Sequence, residues 1–210
     1  MVKVSRIIFQ KKIPNFKLIL IGHEELDIFS EKTISQFNIY KDKELANIDE
    51  IIQFDQVEFL RSRAIKYLGR RIRSKKEIEA KLQDYIKWYK IDENNIKKAI
   101  DMLESATIID DLEFAKWWVD NRMRNSSRSK LALKSELFAK GIDRDIIEQV
   151  LKDVSDEEYI EAGLRLALKK IKLKKFQTPK ERKSYILRYL SQKGYFSEMI
   201  FKIIDIIENK

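Results

Sequence analysis

The chain has 210 residues, 44% of them hydrophobic, which suits one or two domains or an array of small modules and is too apolar for disorder. It has no cysteine and one histidine, His23, which excludes disulfides, a cysteine nucleophile and a multi-histidine metal centre. The formal net charge of +9 favours polyanionic partners, such as nucleic acid, or a protein with an acidic surface.

The sequence carries no signal for membrane insertion or secretion. Its longest apolar runs, such as Leu18 to Ile21, are too short to span a bilayer. Met1 to Val4 lacks the core of a signal peptide. We therefore expect a cytoplasmic protein without a membrane partner.

The N-terminal part is rich in β-branched and aromatic residues. Val2–Phe9 and Phe16–Ile21 are separated by a proline, and Gly22-His23 offers a second turn before Leu26–Phe29. This pattern predicts two or three strands of a small sheet, with a short helix from Ser30 to Phe37. We expect this β element to be separable from the remainder of the chain.

From about Asp55 onward, apolar residues recur at steps of three and four, which is typical of helices. Capping side chains mark the helix starts, several with an acid three residues later, and one precedes a proline at the first helical position. The predicted caps are Ser74, Asp92, Asp110, Asp143, Ser155, Thr178 and Ser197. Together these signals predict nine helices.

The nine helices fall into three sets of three. Lys140-Gly141 and Lys193-Gly194 end the middle helices of the second and third sets, where glycine can adopt the left-handed conformation. We therefore expect a mainly α fold of tandem three-helix repeats that form an elongated, curved array, with a compact single-core bundle as the alternative. The predicted domains are a β-rich extension at 1–50 and repeats at 51–106, 107–154 and 155–210.

Basic residues crowd the junction between the first and second helix of each set. A repeated basic junction on such an array forms a stripe, which suits a long, negatively charged partner. The alternative is that these cations stabilise helix C-termini or belong to ordinary solvated faces. The stripe residues are Arg63, Lys66, Arg70, Arg71, Arg73 and Lys76, then Arg122, Arg124, Arg128 and Lys130, then Lys169, Lys172, Lys175 and Arg182.

Other candidate site residues have simple structural explanations. Trp117-Trp118 could stack on unpaired bases, but Trp118, four residues after Phe114, is expected in the core, and Trp117 at a seam between repeats. Asp110-Asp111 fits a helix cap better than a metal site. We find no phosphate loop, nucleophile elbow or carboxylate set at ligand spacing, so catalysis and a cofactor are not expected.

Several motifs, in order, resemble the RecX family. The run from Arg70 to Ile78 is similar to that family's opening signature, and Ile109 to Ala115 is similar to its central motif. Ser135 to Ile142 resembles the next motif, and the ending from Ile186 to Tyr195 matches the third repeat. The first repeat departs from the pattern, because Trp88-Tyr89-Lys90 replaces the usual Lys-Gly stop, and the second lacks a Gly-Pro pair.

The resemblance implies a non-enzymatic protein of tandem three-helix repeats. Such a protein would bind in the groove of the RecA–single-stranded DNA filament and inhibit ATP hydrolysis, strand exchange and co-protease function. This places the chain in DNA recombination, DNA repair and the SOS response. We expect a monomer, and because the basic stripe acts through phosphates rather than base edges, we expect its binding to single-stranded DNA alone to be weak and salt-dependent. An autonomous helical nucleic-acid-binding protein is the alternative, and a metal-dependent nuclease using Asp110 and Asp111 is a third.

Overall fold

The computed structural model describes residues 1–10, 15–20, 25–28 and 30–209, which are mainly helical. The chain divides into two compact units, Met1–Ile109 and Asp110–Lys210. Within the described residues, no helix is both long and apolar enough to cross a membrane. The mainly α fold with a β-containing N-terminal part confirms the predicted fold class.

The N-terminal part forms a four-stranded antiparallel sheet in the order β3-β2-β1-β4. Its strands are β1 (Val2–Gln10), β2 (Asn15–Leu20), β3 (Glu25–Ile28) and β4 (Glu44–Leu45), and helix α1 (Glu31–Gln36) lies between β3 and β4. The alternation of Leu18 and Leu20 places both on the buried face, as expected for a half-buried strand. The predicted turn at Gly22-His23 and the end of the third predicted strand at Phe29 lie outside the described residues.

The remaining helices follow the predicted order. They are α2 (Ile48–Leu68), α3 (Lys75–Tyr89) and α4 (Asn94–Ser105), then α5 (Asp111–Ser126), α6 (Lys130–Ala139) and α7 (Arg144–Lys152), then α8 (Asp156–Ile171), α9 (Pro179–Gln192) and α10 (Ser197–Glu208). In each set every helix packs on the other two. The apolar core of the first set includes the buried residues Leu60, Leu82 and Ile100, and that of the third set includes Ile186, Leu190 and Ile203.

Side-chain caps begin most of these helices. Ser155 and Glu158 form a complete capping box, and Asp110 Oδ1 accepts from the backbone N–H groups of Leu112 and Glu113. Ser74, Asp143 and Thr178 also cap as predicted. The predicted cap at Ser197 is wrong, because α10 already includes that residue and its N-cap, Phe196, makes no side-chain bond.

The cap at Asp92 is displaced by one residue. Its Oδ1 accepts from Asn94 N at 2.9 Å, whereas the residue at the formal N-cap position, Glu93, makes no capping bond. Ser129 caps α6 and was not predicted, since no acid follows it at the third position.

The sheet and helix α2 share buried contacts, and the expected separability of the β element remains a prediction. Ile51 of α2 lies in the same apolar core as Val4 and Leu45. Asp55, 2% exposed, accepts from the hydroxyl of Thr33 at 2.7 Å and from the backbone N–H of Ser30 at 3.2 Å. The predicted boundary at residue 50 thus lies inside a continuous helix.

A second buried carboxylate, Glu58, strengthens this junction. It pairs with Lys32 at 2.9 Å and with Arg61 at 3.1 Å. Burial raises the pKa of the Glu58 carboxyl, but hydrogen bonds from Lys32 and Arg61 outweigh burial and hold it below its usual value. Glu58 therefore stays ionised between the two cations.

The second and third sets of helices are joined within the unit that contains both. Ser129 Oγ donates to the carbonyl of Lys193 at 2.7 Å, and Tyr195 Oη donates to the carbonyl of Ser127 at 3.1 Å. Burial raises the pKa of the Tyr195 phenol to about 12, so it remains a donor at neutral pH. The division into 107–154 and 155–210 remains a prediction.

Left-handed residues end the middle helices. Gly141 and Gly194 have φ of 80° and 82°, as predicted for glycine at a helix C-terminus. In the first set, which has no glycine there, Lys90 takes the left-handed conformation with φ of 51°. Trp88-Tyr89-Lys90 thus departs from the family pattern in the type of residue, whereas the left-handed backbone conformation at the end of the helix is the same.

We predict that Asp55→Ala lowers the free energy of unfolding by about 1–3 kcal/mol, because the buried Thr33 hydroxyl and the half-buried Ser30 N–H lose their acceptor. Urea denaturation measures the change. Gln53→Ala, an exposed position on the same helix, is the control and should change stability by less than about 0.5 kcal/mol. Equal losses in the two variants would contradict a specific role for the buried carboxylate.

We also predict that Lys90→Gly raises the free energy of unfolding by about 1 kcal/mol, because glycine adopts positive φ without the steric cost of a β-carbon. Thermal and urea unfolding check this. The matched control, Lys87→Gly, lies within α3 and should instead lose about 0.5–1 kcal/mol. Destabilisation by both substitutions would rule out strain at Lys90.

Candidate nucleic-acid interface

In the first set of helices, the predicted stripe residues divide by exposure. Lys66, Arg70 and Lys76 are exposed, at the end of α2, in the connection and at the start of α3. Arg71 and Arg73 are half-buried. The exposed cations are accessible to a partner, whereas the half-buried ones take part in the packing of the unit.

The contacts of the half-buried arginines are specific. Arg71 binds Glu77 through both terminal nitrogens, at 2.9 and 3.1 Å. The Arg73 guanidinium lies 3.6 Å from the centre of the Tyr67 ring, and that of Arg63 lies 4.7 Å from the centre of Phe59. Arginine stems and planar heads cover aromatic surface well, so these residues contribute to stability as much as to charge.

In the second set, Arg122 and Arg128 meet at one carboxylate, Glu136. Arg122 Nε lies 2.8 Å from Glu136 Oε2, and Arg128 Nε lies 3.0 Å from Glu136 Oε1. Arg124 pairs with Asp120 one turn away and is 76% exposed. The half-buried Lys130 lies 5.9 Å from the centre of the Tyr159 ring.

In the third set, Lys169, Lys172 and Lys175 are exposed at the end of α8 and in the following connection. Arg182, on the first turns of α9, is half-buried. The structure thus places an exposed cation at the predicted junction of every set.

Sequence reasoning missed an aromatic cluster beside the third junction. Tyr185 and Tyr189 are stacked with ring centres 6.3 Å apart, and the ammonium of Lys174 lies 4.6 Å from the centre of Tyr185. Lys170 lies 5.7 Å from the centre of Tyr189. The spacing of four residues between two tyrosines on a helix was a signal for this stack.

Trp118 is not a core residue, so its predicted place was wrong. It is half-buried, its indole Nε1 donates to Glu136 at 2.9 Å, and Arg122 lies 4.4 Å from its ring centre. Lys140 approaches the ring at 5.0 Å. Of these three aromatic residues Phe114 is buried, and Trp117 is half-buried beside it. Cations of the protein itself therefore lie against the ring that could have stacked on a base.

The Asp110-Asp111 pair serves the start of α5. Asp110 caps the helix, and Asp111 lies in its first turn, where an acid interacts favourably with the helix dipole. Over the ranges that the structure describes, no group of three or more histidine, cysteine, aspartate or glutamate residues could hold a metal ion.

Comparison with known proteins accounts for nearly the whole chain. It is 31% identical over 199 residues to the regulatory protein RecX of Listeria monocytogenes serotype 4a (strain HCC23), a match that covers 94% of this chain and 72% of that protein. The chain belongs to the RecX family. The model of the second three-helix domain of RecX matches residues 110–151.

Another RecX, from Bacillus licheniformis, is 34% identical over 167 residues, covering 79% of this chain and 62% of that protein. A crystal structure of a regulatory protein RecX superposes with a TM-score of 0.73 at 24% identity, covering 98% of this chain and all of that one. RecX from Lactobacillus salivarius gives a TM-score of 0.64 at 27% identity, over 74% of this chain and 99% of that one. RecX proteins are non-enzymatic regulators.

We predict that Arg73→Ala lowers the free energy of unfolding by about 1 kcal/mol, because it removes a guanidinium stacked on Tyr67. Arg70→Ala, at an exposed position in the same connection, should stay within about 0.5 kcal/mol of the parent. Urea denaturation of both variants tests whether half-buried basic residues stabilise the fold and exposed ones do not. A larger loss for Arg70→Ala would overturn it.

Proposed function

We propose that the chain binds the RecA–single-stranded DNA filament and inhibits ATP hydrolysis, strand exchange and co-protease activity. Membership of the RecX family supports a regulatory role, and the resemblance of its motifs implies the filament as partner. The observation that carries the proposal is the recurrence of exposed cations at the same junction of all three sets of helices. The protein would act as a cytoplasmic monomer.

The exposed cations suit a phosphate backbone. Lysine ammonium groups on flexible stems neutralise phosphates without reading bases, and each contact releases counterions. Exposed cations of this kind are Lys66 and Arg70 in the first set and Lys169 and Lys172 in the third. We therefore expect weak, salt-dependent binding to single-stranded DNA alone.

Several weak junctions on one chain reinforce one another. Once the first junction has bound, the others meet the same filament at a high effective concentration. A filament repeats its binding sites along its length, so it can engage several junctions at once. An isolated short oligonucleotide cannot, which is why we expect tight binding to require the recombinase.

The test is the DNA-dependent ATPase of the cognate recombinase, titrated with the parent chain and with charge-reversed variants. Lys66→Glu combined with Arg70→Glu should raise the half-inhibitory concentration on the order of tenfold, because two phosphate contacts become repulsive. Both side chains are exposed, so helicity should not change. Arg71 and Arg73 are poor choices for this test, since their reversal would also disturb packing.

The matched control is Lys97→Glu combined with Lys98→Glu on α4, which changes the net charge equally at two other exposed positions. It should inhibit nearly as well as the parent. Equal loss of inhibition in both double variants would indicate a general effect of net charge. Tight, salt-insensitive, sequence-specific DNA binding without recombinase would favour the autonomous nucleic-acid-binding protein instead.

A further inference from the structure

Three side chains converge on the carboxylate of Glu136 in helix α6. Trp118 Nε1 donates a hydrogen bond to Oε2 at 2.9 Å, and Arg122 is ion-paired with the same oxygen at 2.8 Å. Arg128 is ion-paired with the other oxygen, Oε1, at 3.0 Å. Two guanidinium groups thus form ion pairs with the two oxygens of one carboxylate.

The cluster keeps a positive charge after this pairing. One carboxylate faces two guanidinium groups, and the ammonium of Lys140 lies 5.0 Å from the centre of the Trp118 ring. The Glu136 side chain is 22% exposed, while Arg122 and Arg128 are 31% and 39% exposed. The acid is therefore the more covered partner, and the arginines face solvent in part.

The position of Arg122 is held on two sides. Its guanidinium lies 4.4 Å from the centre of the Trp118 ring, and its Nε lies 2.8 Å from Glu136 Oε2. A guanidinium held in this way loses less conformational freedom on binding than a freely rotating side chain. Guanidinium groups are also the groups that proteins use for bidentate recognition of phosphate.

We propose that Arg122 and Arg128 form a two-arginine clamp for a backbone phosphate of single-stranded DNA, and that Glu136 is the positioning residue that assembles it. The clamp rests on the proposed function, which supplies the DNA as ligand. Glu136 does not touch the phosphate. It orders the two arginines before the DNA arrives, so a negatively charged residue strengthens binding to an anion.

This assignment and simple charge counting give opposite expectations for one substitution. Glu136→Gln raises the net charge by one, and if the basic residues act only through their summed charge, DNA binding should tighten. If Glu136 positions the arginines, binding should weaken although the protein becomes more positive. The sign of the change separates the two explanations.

The experiment measures binding of fluorescein-labelled oligo(dT) to the full chain by anisotropy across a salt series. Glu136→Gln should weaken binding several-fold and reduce the slope of log affinity against log salt by about 0.7 for each phosphate that the variant no longer binds. Arg122→Ala combined with Arg128→Ala should reduce the slope similarly. Adding Glu136→Gln to that pair should weaken binding little further, because the three residues act as one unit.

Glu148→Gln is the matched control. Glu148 lies in the same unit, is 53% exposed and pairs with Arg144 at 2.9 Å. The substitution makes the same change in net charge, and binding should stay the same or tighten slightly. Thermal unfolding of each variant establishes that it is folded at the assay temperature.

The clamp is overturned if folded Glu136→Gln binds oligo(dT) as tightly as the parent, with an equal or steeper salt slope. If Glu136→Gln does not fold, Arg128→Ala provides the test, because it leaves Glu136 paired with Arg122 and Trp118. An unchanged slope of log affinity against log salt for Arg128→Ala would then overturn the proposal. The recombinase ATPase assay separates this failure from failure of the proposed function. If the parent chain inhibits the recombinase and Glu136→Gln binds oligo(dT) normally, the proposed function stands and the proposed clamp is rejected.

Discussion

The fold depends on the burial of apolar faces that no single short helix can cover. Helix α7 has nine residues and α6 has ten, too few to be stable alone in water. Packing each helix on the two others of its set buries residues such as Leu133, Leu137 and Ile147 almost completely. The N-terminal caps and the left-handed residues at the C-termini then fix where helices begin and end, so that the three apolar faces meet.

This packing also decides what the basic residues do. Apolar faces occupy the inside of each set, so cations gather at helix ends and junctions, and some of them cover aromatic rings there. Arg63 and Arg73 lie against Phe59 and Tyr67, and they contribute to the unit that carries the more exposed Lys66 and Arg70. The same residue type therefore serves both charge and packing, and exposure separates the two roles.

Covered acids play a corresponding part at the edges of the helical sets. Asp55 of α2 accepts a hydrogen bond from Thr33 of α1, and Glu136 pairs with Trp118 and two arginines in the second set. Each carboxylate is largely covered and is compensated by hydrogen bonds or cations, as buried charges must be.

The sequence alone determined the local features of this protein. Helical periodicity, the caps at Ser74 and Asp110, and the glycine ends at Gly141 and Gly194 could be read directly, because each depends on residues a few positions apart. The order of motifs also indicated the family. Tertiary structure decided the short strand β4, the docking of the sheet on α2 and the surroundings of Trp118. Glu136 meets Trp118 across 18 positions and Thr33 meets Asp55 across 22, distances over which no local pattern specifies a contact. Only the packed helices bring these side chains together.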